Sequence, residues 1–307
     1  MNLPLALNGL IHLVLLLALS PLLPGVISRT KARMAGRAGP PLLQGYFDLA
    51  RLFRKEMVVS RTTTWIFKGG PVLVWTTTLL AGLLVPLWHH RPPVEFAGDM
   101  VLLAGLLGLG RFFLAAAAMD TGSPFEGMGT AREVSYASLV EPTLFLGLIA
   151  LARLTGSLSL AGMLSGTLPG AWRSAAAALT LVTASWFVVL LVENSRIPFY
   201  DPNTHLELTM IHEVMVLDHS GPALGLLEHA AAMKLFVLGA LVLDVAFPVA
   251  TGNPGADWAL FLCGMLGLGV LIGLVESSMA RLRLNNIPKL LVSACMLAAF
   301  GVILLLG

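Results

Sequence analysis

Six ionisable side chains stand inside, or at the ends of, long apolar runs: Arg111, Glu141, Glu193, Lys234, Asp244 and Glu276. A charge at mid-depth in a bilayer costs at least about 2.5 to 3.5 kcal/mol, so each of these groups demands a partner or a pathway. Lys234 and Asp244 are ten residues apart, about 15 Å along a helix, and therefore cannot pair with each other. Arg111 and Glu141 are a candidate inter-helix pair. Glu193 and Glu276, at span ends, could simply reach water, but six such groups in one chain point to a proton relay through the middle and later spans. Burial favours the protonated form of a carboxylate, which lets it take up and release protons.

A second concentration of polar chemistry runs from Glu193 to His229 and includes Arg196, Pro198, Asp201, Pro202, His205, Glu207, His212, Glu213, Asp218, His219 and Glu228. His205, His212 and His219 repeat every seven residues. That spacing places them on one helix face but roughly 10 Å apart along its axis, too far for one metal ion. The pair His212-Glu213 lacks the following histidine of a zinc protease helix. Cys263 and Cys295 stand alone in apolar runs, which argues against a disulfide scaffold, a zinc site or a cysteine-held iron-sulfur cluster. Pro198 and Pro202 interrupt any helix, so residues 196–204 are expected to form a bent loop that carries acids and imidazoles toward the membrane plane.

The elements that must position these groups follow from composition. The chain has 307 residues, 57% hydrophobic and only 12% charged, with a mean hydropathy of +0.85. Ordinary soluble domains carry about 25% charged residues, so this is an all-α integral membrane protein. Crossing the hydrocarbon core takes roughly 20 apolar residues. Eight runs qualify, approximately Leu3 to Ile27, Gly70 to Trp88, Met100 to Met119, Val134 to Ala152, Ser174 to Val192, Ala230 to Ala250, Trp258 to Val275 and Leu290 to Leu306. The first has neither a basic leader nor a small-residue cleavage site and is read as structure rather than a signal peptide.

Lys and Arg orient these spans. Fourteen fall in the loops of one side, among them Arg29, Lys31, Arg37, Arg132, Arg196 and Arg283, against Arg91, Arg153 and Arg173 on the other. By the positive-inside rule both termini are non-cytoplasmic, and the long segments 28–69 and 195–229 are cytoplasmic. Within the first of these, Leu42, Leu43, Tyr46, Leu49, Ala50, Phe53 and Met57 recur at helical spacing, opposite Gln44, Asp48, Arg51, Arg54 and Lys55. This pattern predicts one interfacial amphipathic helix.

Arg37-Ala-Gly39-Pro40 with Gln44, Asp48 and Lys55-Glu56 resembles the first inner loop of the membrane heel subunit of respiratory complex I, the subunit 1 superfamily. Glu193, Arg196, Pro198-Phe199, Pro202, Glu207-Leu208 and Ser220-Gly221 resemble its long inner loop. Gly127 to Glu133, Glu141-Pro142, Asp201 to Met210 and Arg281-Leu-Arg283 are similar to the corresponding subunit of group 4 energy-converting nickel-iron hydrogenases and formate hydrogenlyases. The quinone-reducing branch has acids where this chain has Tyr200, Asn203 and His205, and a carboxylate where it has Ala137. Glu141, one helical turn on, lies on roughly the same face as position 137.

The resemblance implies a single transmembrane domain over residues 1–307 in a prokaryotic cytoplasmic membrane, itself non-catalytic and without metal. Segments 28–69 and 195–229 would dock the hydrophilic arm. Glu141, Glu193, Glu207, Glu213, Asp218, Glu228 and Asp244 would form the proton path, and Arg37, Arg132, Arg196 and Arg283 would face the docked subunits. Iron-sulfur clusters and a nickel-iron centre are expected in partners: hydrogenase large and small subunits, an iron-sulfur subunit and antiporter-like membrane subunits. No nucleic-acid partner is expected. The competing reading within the superfamily is a quinone-binding heel subunit, with a lipid-accessible tunnel between the first span, the amphipathic helix and spans six and seven, and Arg37 and Phe53 near its mouth. A stand-alone transporter, often built from paired inverted repeats, finds no second copy of the Pro198 to Glu207 motif.

Overall fold

The computed structural model describes residues 5–88, 90–164, 168–199 and 210–306. Thirteen α-helices occur among them: α1 (Leu5–Val14), α2 (Leu22–Met34), α3 (Gln44–Phe53), α4 (Trp65–Leu84), α5 (Asp99–Asp120), α6 (Pro124–Thr155), α7 (Leu160–Leu164), α8 (Leu168–Ser174), α9 (Ala176–Glu193), α10 (His212–Met215), α11 (Gly221–Ala246), α12 (Pro254–Ser278) and α13 (Ile287–Leu304). Seven of these, α4, α5, α6, α9, α11, α12 and α13, are long and apolar enough to cross a membrane, and the bent pair formed by α1 and α2 makes an eighth. The chain is therefore a multi-pass membrane protein.

The first span departs from the straight run expected from Leu3 to Ile27. A π-helical turn over Leu15–Leu19 follows α1, and the axis bends by 43° before α2, which continues to Met34. Pro21 and Pro24 remove two backbone donors here, and the widened turn leaves carbonyls to be satisfied from elsewhere. Tyr46 of α3 donates its hydroxyl to the Ala18 carbonyl, and His229 of α11 donates to that of Leu17, 3.0 Å away.

Two spans begin about two to three turns earlier than hydropathy places them. Helix α6 starts at Pro124 rather than near Val134 and has 32 residues, about 48 Å at 1.5 Å per residue against a hydrocarbon core of about 30 Å. Arg132 and Glu133, expected in a loop, are therefore carried on this helix. Helix α11 starts at Gly221, with Pro222 in its first turn, so Glu228 and His229 are helical. It is also the central helix, the most buried of the described spans, whereas the last span is the least buried. Polar caps fix the ends of the bundle: Asp120 accepts from the N–H groups of Thr64 and Phe67 at 2.7 and 3.1 Å, and Asp99 accepts from the Leu160 N–H at 2.7 Å.

The amphipathic helix exists as α3, but its orientation corrects the expected polarity. Gln44 and Asp48, placed opposite the apolar residues in the sequence pattern, lie on the half-buried face that packs on α2 and α11, and Gln44 Nε2 donates to both Asp48 oxygens at 2.9 and 3.1 Å. Leu43, Phe47 and Phe53 are exposed instead. An apolar outer edge suits a helix resting on hydrocarbon, while its polar inner face borders a cavity.

Candidate functional site

Helices α5, α6, α9 and α11 each bring one or more charged side chains to a common point. Arg111 of α5, with 10% of its side chain exposed, is the hub. One terminal nitrogen of its guanidinium donates to Glu141 of α6 and the other to Glu193 at the end of α9, while its Nε lies 3.8 Å from Glu133 on α6. Lys234 of α11 approaches the second oxygen of Glu193 at 3.4 Å. The planar fork of arginine suits this work, because its donors diverge in fixed directions and so can bind carboxylates from different helices.

Arg111, Glu133, Glu193, His212 and Lys234 enclose a small cavity of about 50 Å³, room for a few waters at most. On the other side of the guanidinium a larger cavity of about 270 Å³ reaches Glu141. Three carboxylates face two cations, which leaves one negative charge in excess when all are ionised. One added proton neutralises the cluster, and because the groups are coupled that proton belongs to the cluster rather than to one residue. Burial holds the His212 imidazole below its ordinary pKa; Glu213 opposes this, Lys234 reinforces it and Glu193 opposes it again.

A second centre lies between α2, α12 and the loop after α9. Lys31 Nζ is 2.7 Å from Glu276, whose side chain is fully enclosed, and Arg196 approaches the other oxygen at 3.6 Å. Beside it a cavity of about 390 Å³ runs between α2, α3 and α11, lined by Pro24, Gln44, Asp48, Leu52 and Glu228 among others. Glu228 faces Arg196 and Asp48 electrostatically. Its neighbour His229 accepts from the Trp75 indole N–H at Nδ1, 2.9 Å away, and its Nε2 meets the Leu17 carbonyl at 3.0 Å. An indole can only donate and a carbonyl can only accept, so Nδ1 is the accepting nitrogen of the ring and Nε2 the donating one.

The structure brings together only part of the expected path. Glu141 and Glu193 share the Arg111 hub, and Glu213 stands beside His212 at the cluster's edge. Glu228 opens into the cavity of about 390 Å³ between α2, α3 and α11. Asp218 is exposed. Asp244, 3% exposed, lies near the far end of α11 beside the Trp88 backbone N–H, away from the cluster. Glu207 falls outside the described residues, as do Tyr200, Asp201 and His205. Of the four arginines, Arg37 and Arg283 are exposed, Arg132 donates to the Met210 carbonyl at 2.9 Å, and Arg196 points inward to Glu276. The sequence alone does not place Glu133, Lys234, His212 or the Lys31–Glu276 pair in the site. Lys234 and Glu276 are visible as charges in apolar runs. Glu133 and Lys31 carry no such signal, since both fall in stretches that read as polar loops.

Residues 7–307 match the NADH dehydrogenase family. The chain belongs to this family, that of complex I subunit 1. Within the family it is 32% identical to hydrogenase-4 component C of Escherichia coli over 281 residues, covering 90% of this chain and 88% of that protein. Formate hydrogenlyase subunit 4 of the same organism is 30% identical over 287 residues, 92% of each chain. The likeness to an NADH-quinone oxidoreductase subunit of Rubrobacter xylanophilus is weaker, 26% over 207 residues, with 67% of this chain and 62% of that one. The resemblance to the hydrogenase branch therefore stands. The fold is shared with a chain of the archaeal membrane-bound sulfane sulfur reductase, a respiratory membrane complex, with a TM-score of 0.84 and 22% identity over 98% of this chain and 99% of that one.

Proposed function

We propose that this chain is the membrane anchor and ion-translocation coupling subunit of an energy-converting nickel-iron hydrogenase complex of the formate hydrogenlyase type. The observation that carries this reading is where the long segment 195–229 begins and returns. It leaves α9 directly after Glu193 and comes back at His212, and both residues border the same small cavity with Arg111 and Lys234. A redox event in a subunit docked on this segment can therefore act on the cluster from both sides. Moving one charge in a buried network shifts the proton affinity of all its members. Arg196, close behind Glu193 in the chain and paired with Glu276, ties the same segment to α12.

In this reading the basic end of the bundle faces the cytoplasm and both termini lie on the opposite side of a prokaryotic inner membrane. Arg37, Arg132 and Arg283 border the docked hydrogenase large and small subunits and an iron-sulfur subunit. The nickel-iron centre and iron-sulfur clusters belong to those partners, and the carboxylates of this chain pass protons or sodium ions toward antiporter-like membrane subunits. Glu141→Gln and Glu193→Gln, introduced into the native complex, are expected to leave assembly and electron transfer intact while abolishing ion movement in proteoliposomes. Normal ion movement in both variants would overturn the reading.

The cavity between α2, α3 and α11 favours a second reading, a quinone-binding heel subunit of a complex I-like dehydrogenase. It lies beside the first span and the amphipathic helix, where the expected tunnel begins. A photoreactive quinone analogue should then label α3 or α11 in an active complex; absence of labelling removes this alternative.

A further inference from the structure

At the end of the bundle opposite the arginine-rich loops, helices α9, α11 and α12 diverge around a groove of about 800 Å³. Its walls include Trp172, Phe187, Val242, Leu260, Gly267 and Leu271. They offer almost nothing to a polar ligand. The hydroxyls of Thr180 and Thr183, which also border the groove, are spent on the carbonyls of Ala176 and Leu179, each at 2.8 Å. The Trp172 indole N–H is spent on the Val245 carbonyl at 2.9 Å. A buried polar ligand would lose its hydration here without compensation, so the occupant must be hydrocarbon.

The length of the groove separates the two hydrocarbon occupants a membrane offers. Along α12 it extends from Leu260 to Leu271, about 16 Å at 1.5 Å per residue. That is half of a hydrocarbon core about 30 Å thick, the depth of one leaflet. A partner helix crossing the membrane needs a seat of full length, whereas a lipid tail needs only this half. At the mouth, Trp172 provides the amphipathic ring that sits at the headgroup level. Its chain neighbour Arg173 is exposed and makes no ion pair among the described residues.

We infer that this groove is a binding site for an anionic phospholipid, with its acyl chains between α9, α11 and α12 and its phosphate on Arg173. The site is independent of the charge cluster and of the cavity beside α3.

Native mass spectrometry of the complex in mild detergent, with the chain released in the gas phase, tests the assignment. One phospholipid should remain on the wild-type chain, with phosphatidylglycerol retained in preference to phosphatidylcholine when either is supplied. Gly267→Phe fills the groove, and it is the suitable variant because a Cβ at Gly267 meets nothing within 4 Å; the retained lipid should be lost while the complex still assembles. Arg173→Gln should cut the preference for phosphatidylglycerol about fivefold, the effect of one basic residue at a membrane surface. Equal lipid retention in wild type and Gly267→Phe would overturn the proposal. So would capture of another membrane subunit by a thiol-anchored photo-crosslinker on Cys263, which is exposed in the groove, in a Cys295→Ser background; that result would seat a helix there instead.

Discussion

Lys31 Nζ lies 2.7 Å from a carboxylate oxygen of the fully enclosed Glu276, which joins α2 to α12 at a depth where the sequence reads as a loop. Removing one member of a buried ion pair leaves the other uncompensated. Lys31→Met is therefore expected to destabilise the protein by about 3 kcal/mol, the lower end of the usual range, because Arg196 still faces Glu276. Thermal unfolding in detergent measures this, and the double variant Lys31→Met with Glu276→Gln should recover most of the loss.

Arg111 holds carboxylates from α6 and α9 through separate nitrogens. Arg111→Lys keeps the charge but replaces the fork by a single ammonium that cannot meet both geometries. Ion movement in proteoliposomes should fall about tenfold, equivalent to about 1.4 kcal/mol of lost positioning, with subunit assembly unchanged on a native gel. Wild-type transport in this variant would mean that net charge alone, and not the fork, matters.

His219 is stacked on Phe67 with ring centroids 4.1 Å apart and is 3% exposed. Burial lowers its pKa from 6.5 to about 4. The folded state thus keeps the ring neutral over a range in which the unfolded chain binds a proton. The resulting stability is fully present above pH 6.5 and is lost as pH falls toward 4. Melting temperature followed across that window should drop more steeply in the wild type than in His219→Phe, which retains the stack and cannot titrate.

Gly129 allows α10 to lie directly on α6. A Cβ at this position would meet Val214 at 2.2 Å and the Ile211 carbonyl oxygen at 2.9 Å, so Gly129→Ala must push the segment carrying His212 away from the cluster. A cost of about 1 to 3 kcal/mol is expected from overpacking. Hydrogen exchange should show loosening confined to residues around 210–216, and ion movement should decline with it.

The apolar runs, their number, the interfacial helix and the presence of charges inside spans are all legible from the chain alone. Each is a local property: a run of about 20 apolar residues has few alternatives to spanning a bilayer, whatever surrounds it. Other features are not legible because they depend on how far each helix is rotated and where it crosses its neighbours. Only packing on α2 and α11 turns Gln44 and Asp48 of α3 inward. The extension of α6 past the hydrophobic boundary, which brings Glu133 to Arg111, is stabilised by contact with α10 rather than by hydropathy. Arg196 and Lys31 look like surface cations in the sequence, yet Glu276 draws both to itself, and Arg111, a candidate partner of Glu141, also holds Glu193. Sequence determined which charges had to find partners; the tertiary structure decided which partners they found, since pairing across helices follows from geometry that no single segment contains.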